Sequence, residues 1–442
     1  MLYVYNYKHL YALFANKMKT FFCPDTKTEW PRCFALVDLV SAFASIEKMD
    51  FPELQGRPVV VTNGDHVPNS CIITSCYVCR ENFGIKTGMR LKEALELCPD
   101  IVIRPSRPYR YAEVSGLIMD ALRNDVTCDV EINSIDEAYL DLKPVLNYYG
   151  SVQVIADKIR KVVLESSGGL RCSIGISEGK YTAKLVASQN KGKTTIIPPN
   201  MIESYISKVP VGEICGIGKR TERYLNEAGV FVCRDLKKLP MAFLADRFGD
   251  YGRRLYLICT KGHDPYPIIT EVAPPKSMGH GKVLPPKTTD HNLVFGILRR
   301  LTERLSERLR RNNFKCDSFT VGFKTGQEWI GAKYPRSPGT HNTSIIWGIV
   351  KDHFENFWNG CPLYQVHINA VHLISEDAPK QMSFFDEDLP EKANPLDKIK
   401  DEINDKLGRQ SIQSATELFT KDANMVPVLA FNFQNTGTKN SL

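Results

Sequence analysis

The sequence predicts an α+β protein of several domains, and three observations support this. Once one insert is removed, the first part of the chain follows the order strand, helix, strand, strand, helix, strand. A helical stretch with two closely spaced glycines comes next, and the last part of the chain again mixes strand and helix patterns. At 442 residues the chain is long enough for about two to four domains, each with its own core.

An acidic hairpin lies in the middle of the first unit. Between residues 130 and 142, apolar and polar residues alternate on either side of Asp136 and Glu137, which predicts two short strands joined at the acidic pair. A turn lets both carboxylates point to one site, whereas neighbours within a strand point to opposite faces. By themselves, two adjacent acids are most often a solvated turn.

A third acid ends the first strand of this unit. Residues 34–37 form an apolar run that predicts a buried strand, Asp38 follows it, and the subsequent spacing predicts a helix that contains Phe43. In a ferredoxin-like split βαβ unit, strand one lies beside strand three and antiparallel to it. We therefore expect Asp38, Asp136 and Glu137 on one rim, where carboxylate oxygens suit Mg²⁺.

The other elements of the first unit follow from hydrophobic periodicity. The insert after the first helix is predicted to contain two strands and two short helices, and two amphipathic helices and a closing strand complete the unit. The predicted strands are residues 58–62, 71–75 and 170–177, and the predicted helices are residues 77–83, 91–97, 111–122 and 152–164.

A tight turn between two helical stretches is predicted within residues 209–225. Gly216 and Gly218 flank an apolar residue there, and Lys219 and Arg220 follow. Glycines let backbone amides approach a phosphate closely and the basic side chains add positive charge, as in a helix-hairpin-helix motif. An ordinary tight turn is equally compatible with this pattern.

The proline-rich stretch after this segment, at residues 266–275, predicts a domain linker.

A basic α+β unit follows the linker. It is predicted to contain helices at residues 292–313 and 345–357 and strands at residues 318–324 and 365–373. Between residues 276 and 336 there are thirteen Lys or Arg residues and five acids. Arginines on a helix usually form a solvated face, but a basic unit after a phosphate-binding turn favours nucleic acid as the partner.

Composition excludes several classes of protein. Hydrophobic residues make up 43% and charged residues 24% of the chain, no apolar run reaches the length of a membrane span, and residues 1–32 lack the pattern of a signal peptide. We therefore expect a cytoplasmic protein.

Of thirteen cysteines only Cys76 and Cys79 have metal-like spacing, which favours reduced thiols over a zinc site. The net charge of +7 suggests an anionic partner only where the charge clusters.

The chain resembles the Y-family of lesion-bypass DNA polymerases, and within it the UmuC group, the catalytic subunits of bacterial DNA polymerase V. The resemblance spans roughly residues 33–430, and five motifs occur in the order of the family. They are DLVSAFASIE at Asp38, CYVCRENFGIKTGM at Cys76, SIDEAYLDL at Ser134, SIGISEGKYTAKLVASQNK at Ser173 and CGIGKRT at Cys215.

The resemblance implies roles for individual residues. Asp38, the backbone carbonyl of Leu39, Asp136 and Glu137 would hold two Mg²⁺ ions for nucleotidyl transfer. Phe43 falls at the position of the family's steric gate, an aromatic ring that excludes a 2′ hydroxyl. The residues that would bind the dNTP triphosphate are Thr74, Tyr77, Arg80 and Lys191, and those that would contact DNA are Gly216, Gly218, Lys219 and Arg220.

The resemblance also implies a domain organisation. An N-terminal extension (1–32) would precede a palm (33–50 and 109–200) with inserted fingers (51–108), a thumb (201–268), a linker (269–277), a little finger (278–376) and a tail (377–442). The tail stretch DKIKDEINDKLGRQSI resembles the UmuC ending, and the group implies RecA and a UmuD-like dimer as partners. Two departures from the family pattern bear on the packing beneath the incoming nucleotide: Val40 replaces the usual Asp or Asn, and Ala42 replaces a common aromatic.

The tail holds one further motif. Gln381, Met382, Phe384 and Phe385 resemble the short peptide by which bacterial polymerases bind the sliding clamp. Two adjacent phenylalanines in an acidic segment suit a groove on a partner, although they can also fold back onto the little finger.

Together these features predict a template-directed, low-fidelity DNA polymerase for translesion synthesis in an SOS-type response to DNA damage. Its substrates would be primer-template DNA and dNTP. The alternatives are a catalytically inactive DNA- and clamp-binding scaffold of the same family, and a nucleotide cyclase-like enzyme with a similar palm.

Overall fold

The computed structural model describes residues 29–63, 70–263, 266–270, 274–326, 328–378, 395–408 and 411–420, without the side chains of residues 285–287 and 420. These residues divide into two compact units, one before and one after residues 271–273. No helix in the described part of the chain combines the length and the apolar character needed to cross a membrane.

The first unit alternates strands and helices. In chain order its elements are β1 (Phe34–Leu39), α1 (Ala42–Asp50), β2 (Val59–Thr62), β3 (Ile72–Ser75), α2 (Tyr77–Phe83), α3 (Leu91–Leu97), β4 (Val102–Pro105), α4 (Pro108–Asp125), β5 (Val130–Ile132), β6 (Glu137–Asp141), α5 (Leu146–Tyr149), α6 (Val152–Ser167), β7 (Cys172–Ser177), α7 (Lys180–Gln189), β8 (Thr194–Ile196), α8 (Pro199–Ile206), α9 (Lys219–Glu227) and α10 (Ala242–Lys261), with 3₁₀ turns at Pro52–Leu54, Val211–Glu213 and Cys233–Lys238.

The main sheet of this unit has the order β5-β6-β1-β7-β8. Strand β1 is central and fully buried, and it pairs antiparallel with both β6 and β7. Without β8, this is the strand order of the ferredoxin-like unit predicted from the sequence, so the predicted fold class is confirmed. The inserted segment forms a separate sheet, β3-β2-β4, in which β4 pairs parallel with β2.

The second unit is also α+β. It comprises β9 (Met278–Thr288), α11 (His291–Arg311), β10 (Phe314–Thr325), β11 (Glu328–Thr340), α12 (Thr343–Phe357), β12 (Leu363–Ala370), β13 (Leu373–Ser375), α13 (Pro395–Leu407) and a 3₁₀ turn at Ala415–Thr420. Its sheet has the order β11-β10-β12-β9, and β13 pairs with the start of β10. Leucines of α11 and aromatic residues of α12 and β10 form its core.

Several regular elements escaped prediction, among them β4, β9, β11 and α10. The two long strands are rich in Gly and Pro, with the sequences MGHGKVLPPKT and EWIGAKYPRSPGT, a composition that normally indicates loops. Strand β11 has an alternating, mostly exposed burial pattern, so it gains its order from pairing with β10 along nearly its whole length. The helix α10 is interrupted at Gly249, whose φ of 61° breaks its hydrophobic period.

A buried carboxylate joins α1 to the segment that returns from the insert. Glu47 is fully buried, and its oxygens accept hydrogen bonds from Arg104 Nε at 2.9 Å, Arg107 Nε at 2.7 Å and Tyr111 Oη at 2.8 Å. Arg107 also binds Asp50 at 2.7 Å. Because each buried charge has partners, the cost of removing it from water is offset, and α1, β4 and α4 are held in one arrangement.

We predict that Glu47→Ala destabilises the chain by about 3 kcal/mol, because it removes three hydrogen bonds at once and leaves two arginines around an uncharged cavity. Urea unfolding followed by circular dichroism measures the change. The control is Glu113→Ala: Glu113 is exposed and, among the described residues, pairs with Arg110, so its loss should cost less than about 0.5 kcal/mol. Equal losses in the two variants would contradict the role of Glu47.

Candidate active site

The structure brings the three predicted carboxylates to one end of the central sheet. Asp38 lies directly opposite Glu137 in the antiparallel pairing of β1 and β6. The next amide, that of Leu39, donates a hydrogen bond of 2.9 Å to the backbone oxygen of Asp136. Backbone pairing therefore fixes the relative position of all three acids.

Two lysines neutralise this acidic group. Lys191 Nζ forms an ion pair with Asp38, and Lys184 Nζ lies 2.7 Å from Glu137 Oε2. Burial raises the pKa of the Asp38 carboxyl, and the hydrogen bond from Lys191 only partly offsets this effect. Burial alone would lower the pKa of Lys184, but the contact with Glu137 outweighs it and raises that pKa.

The donor set fits a hard divalent cation. Asp38 on β1, Glu137 on β6 and Asp136 in the turn before β6 supply oxygen ligands. The buried Asp38 and its neighbour Glu137 repel each other unless positive charge lies between them. Within the described ranges, no three Asp, Glu, His or Cys side chains are already arranged as a metal site. Here the positive charge comes from the ammonium groups of Lys184 and Lys191.

Sequence reasoning missed Lys184, although it lies within the motif that begins at Ser173. The residue reaches Glu137 because α7 lies very close to β7. A Cβ atom on Gly175 would lie 2.0 Å from the backbone oxygen of Ala183, so only glycine fits at this crossing. The spacing between Gly175 and Lys184 is the sequence signal for this contact. It can be interpreted only when α7 is known to cross β7 at Gly175.

The proposed steric gate packs against a second aromatic ring. Phe43 is half-buried, and its ring stacks on Tyr111 with centroids 4.3 Å apart and an interplanar angle of 9°. The Tyr111 hydroxyl is held by Glu47, so the stack rests on the buried ion cluster described above. The Phe43 ring therefore packs against Tyr111 on one side and is still partly exposed to solvent.

The other predicted triphosphate residues lie on the inserted sheet, at the junction of β3 and α2. Thr74 is in β3, Tyr77 begins α2 with 46% of its surface exposed, and Arg80 lies one turn further. Arg80 Nε donates a hydrogen bond of 3.1 Å to Ser75 Oγ, which orients the guanidinium. A hydrogen bond to Glu81 raises the pKa of Tyr77. Of the four predicted triphosphate residues, Lys191 is the one seen to pair with an acid of the rim, Asp38.

The predicted DNA-binding turn is exposed. Gly216 and Gly218 precede α9, and Lys219 and Arg220 begin it, with all four residues at the surface. Gly216 has a φ of 96° and its carbonyl accepts a hydrogen bond from Tyr251, which fixes the turn. The turn can therefore present backbone amides and two cations outward.

The basic helix α11 differs from the expectation. Arg310 binds Asp401 at 2.7 Å, Arg311 contacts Glu307 and Asp405, and Arg299 binds Glu303. Arg299, Arg310 and Arg311 are thus paired within their own unit, partly with α13, and the nucleic-acid partner predicted for this basic unit stays a prediction. The spacing of Asp397, Asp401 and Asp405, one per helical turn, was the missed signal.

The clamp-like motif at Gln381, Met382, Phe384 and Phe385 and residues 1–28 lie outside the described residues. The predicted roles of these segments therefore stay predictions.

Comparisons with known proteins agree with this geometry. The impB/mucB/samB family matches residues 37–188, the IMS family HHH motif matches residues 199–230, and the impB/mucB/samB family C-terminal domain matches residues 275–384. A solved Y-family DNA polymerase chimera, Dbh-Dpo4(243-245)-Dbh, shares the fold with a TM-score of 0.68 at 23% identity, over 78% of this chain and 99% of that chain.

Two curated relatives are DNA polymerases. DNA polymerase IV of Shewanella woodyi is 34% identical over 277 residues, which cover 62% of this chain and 74% of the relative. DNA polymerase IV 2 of Halalkalibacterium halodurans is 27% identical over 394 residues, which cover 87% of this chain and 95% of the relative.

The acidic rim on a split βαβ sheet and these relatives define a DNA-directed DNA polymerase. The chain belongs to the Y-family of DNA polymerases, the impB/mucB/samB family, whose function is translesion synthesis. Its substrates are therefore primer-template DNA and dNTP. The relatives are named DNA polymerase IV, so membership of the UmuC group stays a prediction.

We predict that Gly175→Ala lowers thermal stability and primer extension, because the added methyl group forces α7 away from β7 and moves Lys184 from Glu137. The control is Gly116→Ala in α4, where nothing lies within 4 Å of the added atom. That change should stabilise the chain by about 0.4–1 kcal/mol. Thermal melting and extension assays measure both variants, and a neutral Gly175→Ala would contradict the close crossing.

Proposed function

We propose that the chain is a low-fidelity polymerase that extends a primer in an SOS-type response, using two Mg²⁺ ions held by Asp38, the Leu39 carbonyl, Asp136 and Glu137. One observation carries the proposal: Asp38 and Glu137 are direct cross-strand partners, and Asp136 is tied to Leu39 through the backbone. When bound, such ions lower the pKa of the primer 3′ hydroxyl and neutralise the leaving pyrophosphate.

The protein's own residues would position the reactants. Asp38 and Glu137 would exchange their lysine partners for metal, which frees the Lys191 and Lys184 ammonium groups. Lys191, whose side chain is 41% exposed, would then bind the triphosphate together with Thr74, Tyr77 and Arg80. Such an exchange would keep the buried Asp38 and the half-buried Glu137 paired with positive charge throughout.

DNA contacts are assigned to the exposed turn before α9. Gly216 and Gly218 would let backbone amides approach a phosphate, and Lys219 and Arg220 would add charge. The proposed palm, fingers, thumb, linker, little finger and tail keep the boundaries given above. A sliding clamp would bind the tail peptide, and the UmuC-like ending supports a UmuD-like dimer and RecA as further partners.

The decisive test of the metal site is Asp136→Asn. It should abolish Mg²⁺-dependent primer extension while DNA binding persists, because loss of one carboxylate commonly costs several kcal/mol of transition-state stabilisation, about a thousand-fold in rate. The matched control is Asp120→Asn on the surface of α4, where Asp120 pairs only with Arg123. Near-normal extension by folded Asp136→Asn would overturn the assignment, and no extension by the unaltered chain would favour the inactive scaffold.

Phe43 is tested by two substitutions. If its ring screens the sugar, Phe43→Ala should raise the use of ribonucleotides relative to deoxyribonucleotides. If Phe43 is mainly core, the same change should instead cost about 3–5 kcal/mol of stability. Phe43→Leu keeps most of the packing on Tyr111 but removes the aromatic ring. If Phe43 is a gate, this stable variant should therefore also use ribonucleotides more readily. Unchanged selectivity in Phe43→Leu and in a folded Phe43→Ala would exclude the gate.

The clamp peptide is tested by replacing Gln381, Phe384 and Phe385 together with Ala. Clamp binding and clamp-stimulated extension should disappear while basal extension stays intact, because a few buried aromatics dominate such contacts and tethering raises the local enzyme concentration. Neutralising the acidic residues 386–388 is the control, since it leaves the apolar anchors in place. Equal loss of basal activity in the triple variant would show that the peptide is structural.

A further inference from the structure

Two thiols of the inserted sheet lie in contact at the start of α2. Cys76 precedes this helix, Cys79 is one turn along it, and their Sγ atoms are 3.6 Å apart. Both sulfurs lie against the first residue of β2: the Val59 amide donates to Cys76 Sγ at 3.2 Å, and Cys79 Sγ is 3.4 Å from the Val59 carbonyl oxygen. Neither the metal site nor the DNA-binding turn uses these side chains.

The geometry permits a covalent bond. A disulfide has a sulfur separation of about 2.05 Å, so the two atoms must approach by about 1.5 Å, which rotation of two side chains on one helical turn can supply. Every cysteine in the described part of the chain is a free thiol. The pair in α2 is thus reduced here and close to bonding distance.

The two thiols differ in reactivity. Contact with Cys79 and the amide of Val59 lower the pKa of Cys76 to about 5 against the effect of burial, whereas contact with Cys76 raises the pKa of Cys79. Burial raises the pKa of Cys33 and of Cys172 to about 12. Cys76 is therefore the more acidic thiol of the pair, and the more acidic thiol is the one expected to supply the nucleophilic sulfur.

We propose that Cys76 and Cys79 form a redox-active dithiol site, which a hydroperoxide converts to a disulfide across the first turn of α2. With hydrogen peroxide, Cys76 sulfur attacks one oxygen, the O–O bond breaks and hydroxide leaves, taking a proton to become water. Cys79 sulfur then attacks the Cys76 sulfenic acid, the S–O bond breaks, and a second water leaves with the Cys79 proton. Two thiols and one peroxide thus give one disulfide and two waters.

A small oxidant suits this site because Cys76 is only 3% exposed and Cys79 is fully buried. The disulfide would pull Cys79 from the Val59 carbonyl and tighten the turn that holds Tyr77 and precedes Arg80. Oxidation is therefore expected to weaken dNTP binding. This consequence rests on the proposed roles of Tyr77 and Arg80, whereas disulfide formation does not.

The first experiment treats the full chain with increasing hydrogen peroxide, alkylates the remaining thiols and identifies the cysteine peptides by mass spectrometry. We expect the Cys76–Cys79 disulfide to form at least ten-fold faster than oxidation of Cys33 or Cys172, and dithiothreitol to reverse it. In Cys79→Ser, dimedone should trap a sulfenic acid at Cys76, while Cys76→Ser should leave Cys79 unlabelled. Full alkylation of both thiols at all peroxide concentrations, or equal labelling in the two variants, would overturn the proposal.

A second thiol pair in the same chain provides a matched control. Cys233 and Cys259 are buried and hydrogen-bonded to each other, and this contact raises the pKa of Cys233. Cys233 lies in a 3₁₀ turn and Cys259 in α10, whereas Cys76 and Cys79 share one helical turn, so peroxide should oxidise Cys233 and Cys259 more slowly. If this pair oxidises as fast as Cys76 and Cys79, mere proximity explains the reaction and the specific site is excluded.

The last experiment measures primer extension before and after oxidation. In the unaltered chain the KM for dNTP should rise several-fold on oxidation and recover with dithiothreitol, whereas the variant with both Cys76→Ser and Cys79→Ser should be insensitive. A disulfide without a change in KM would overturn the link to Tyr77 and Arg80. If the reduced chain fails to extend a primer, the proposed function is wrong, but the mass-spectrometric result on the dithiol still stands.

Discussion

The antiparallel pairing of β1 with both β6 and β7 is the constraint on which the first unit depends. It places a fully buried strand at the centre of the sheet, with Asp38 near its end and Glu137 directly opposite. A shift of this pairing by one residue would turn every side chain of β1 to the other face of the sheet. The register that buries the apolar residues of β1 is therefore also the register that places Asp38 opposite Glu137. Core packing and the proposed active site therefore depend on one set of backbone hydrogen bonds.

Buried charge is the second constraint, and it is met in two different ways. In the Glu47 cluster, two arginines and a tyrosine satisfy the hydrogen-bonding capacity of the carboxylate. The cluster therefore has a structural role and supports the ring stack of Tyr111 and Phe43. The acidic rim is open to exchange, since the partners of Asp38 and Glu137 are long, flexible lysines. A carboxylate held by a mobile ammonium group can change partner at low cost, whereas one held by two arginines from a rigid strand and helix cannot. This difference separates the structural acid Glu47 from the acids that we propose for metal binding, Asp38 and Glu137.

The second unit shows how charge seen in a sequence can be misleading. Six arginines on α11 suggested a surface for nucleic acid, yet Arg310 and Arg311 are paired with the aspartates of α13, more than eighty residues later. Burial also lowers the pKa of Arg300 and of Arg308, as expected for groups packed within the unit. Arg299, Arg310 and Arg311 are therefore engaged within their own unit and do not form a bare basic surface.

The sequence by itself determined the α+β class, most elements of the main sheet, the acidic hairpin and the strand that ends at Asp38. Hydrophobic period is local, so short elements such as α2 and α3 were predicted with their observed bounds. Only the tertiary structure decided what depends on contacts between distant segments. These contacts order β9 and β11 despite their prolines, bring Lys184 to Glu137 across Gly175, and set Tyr111 beneath Phe43. Each joins segments that no local pattern relates, because the free energy of such contacts appears only when the chain has folded.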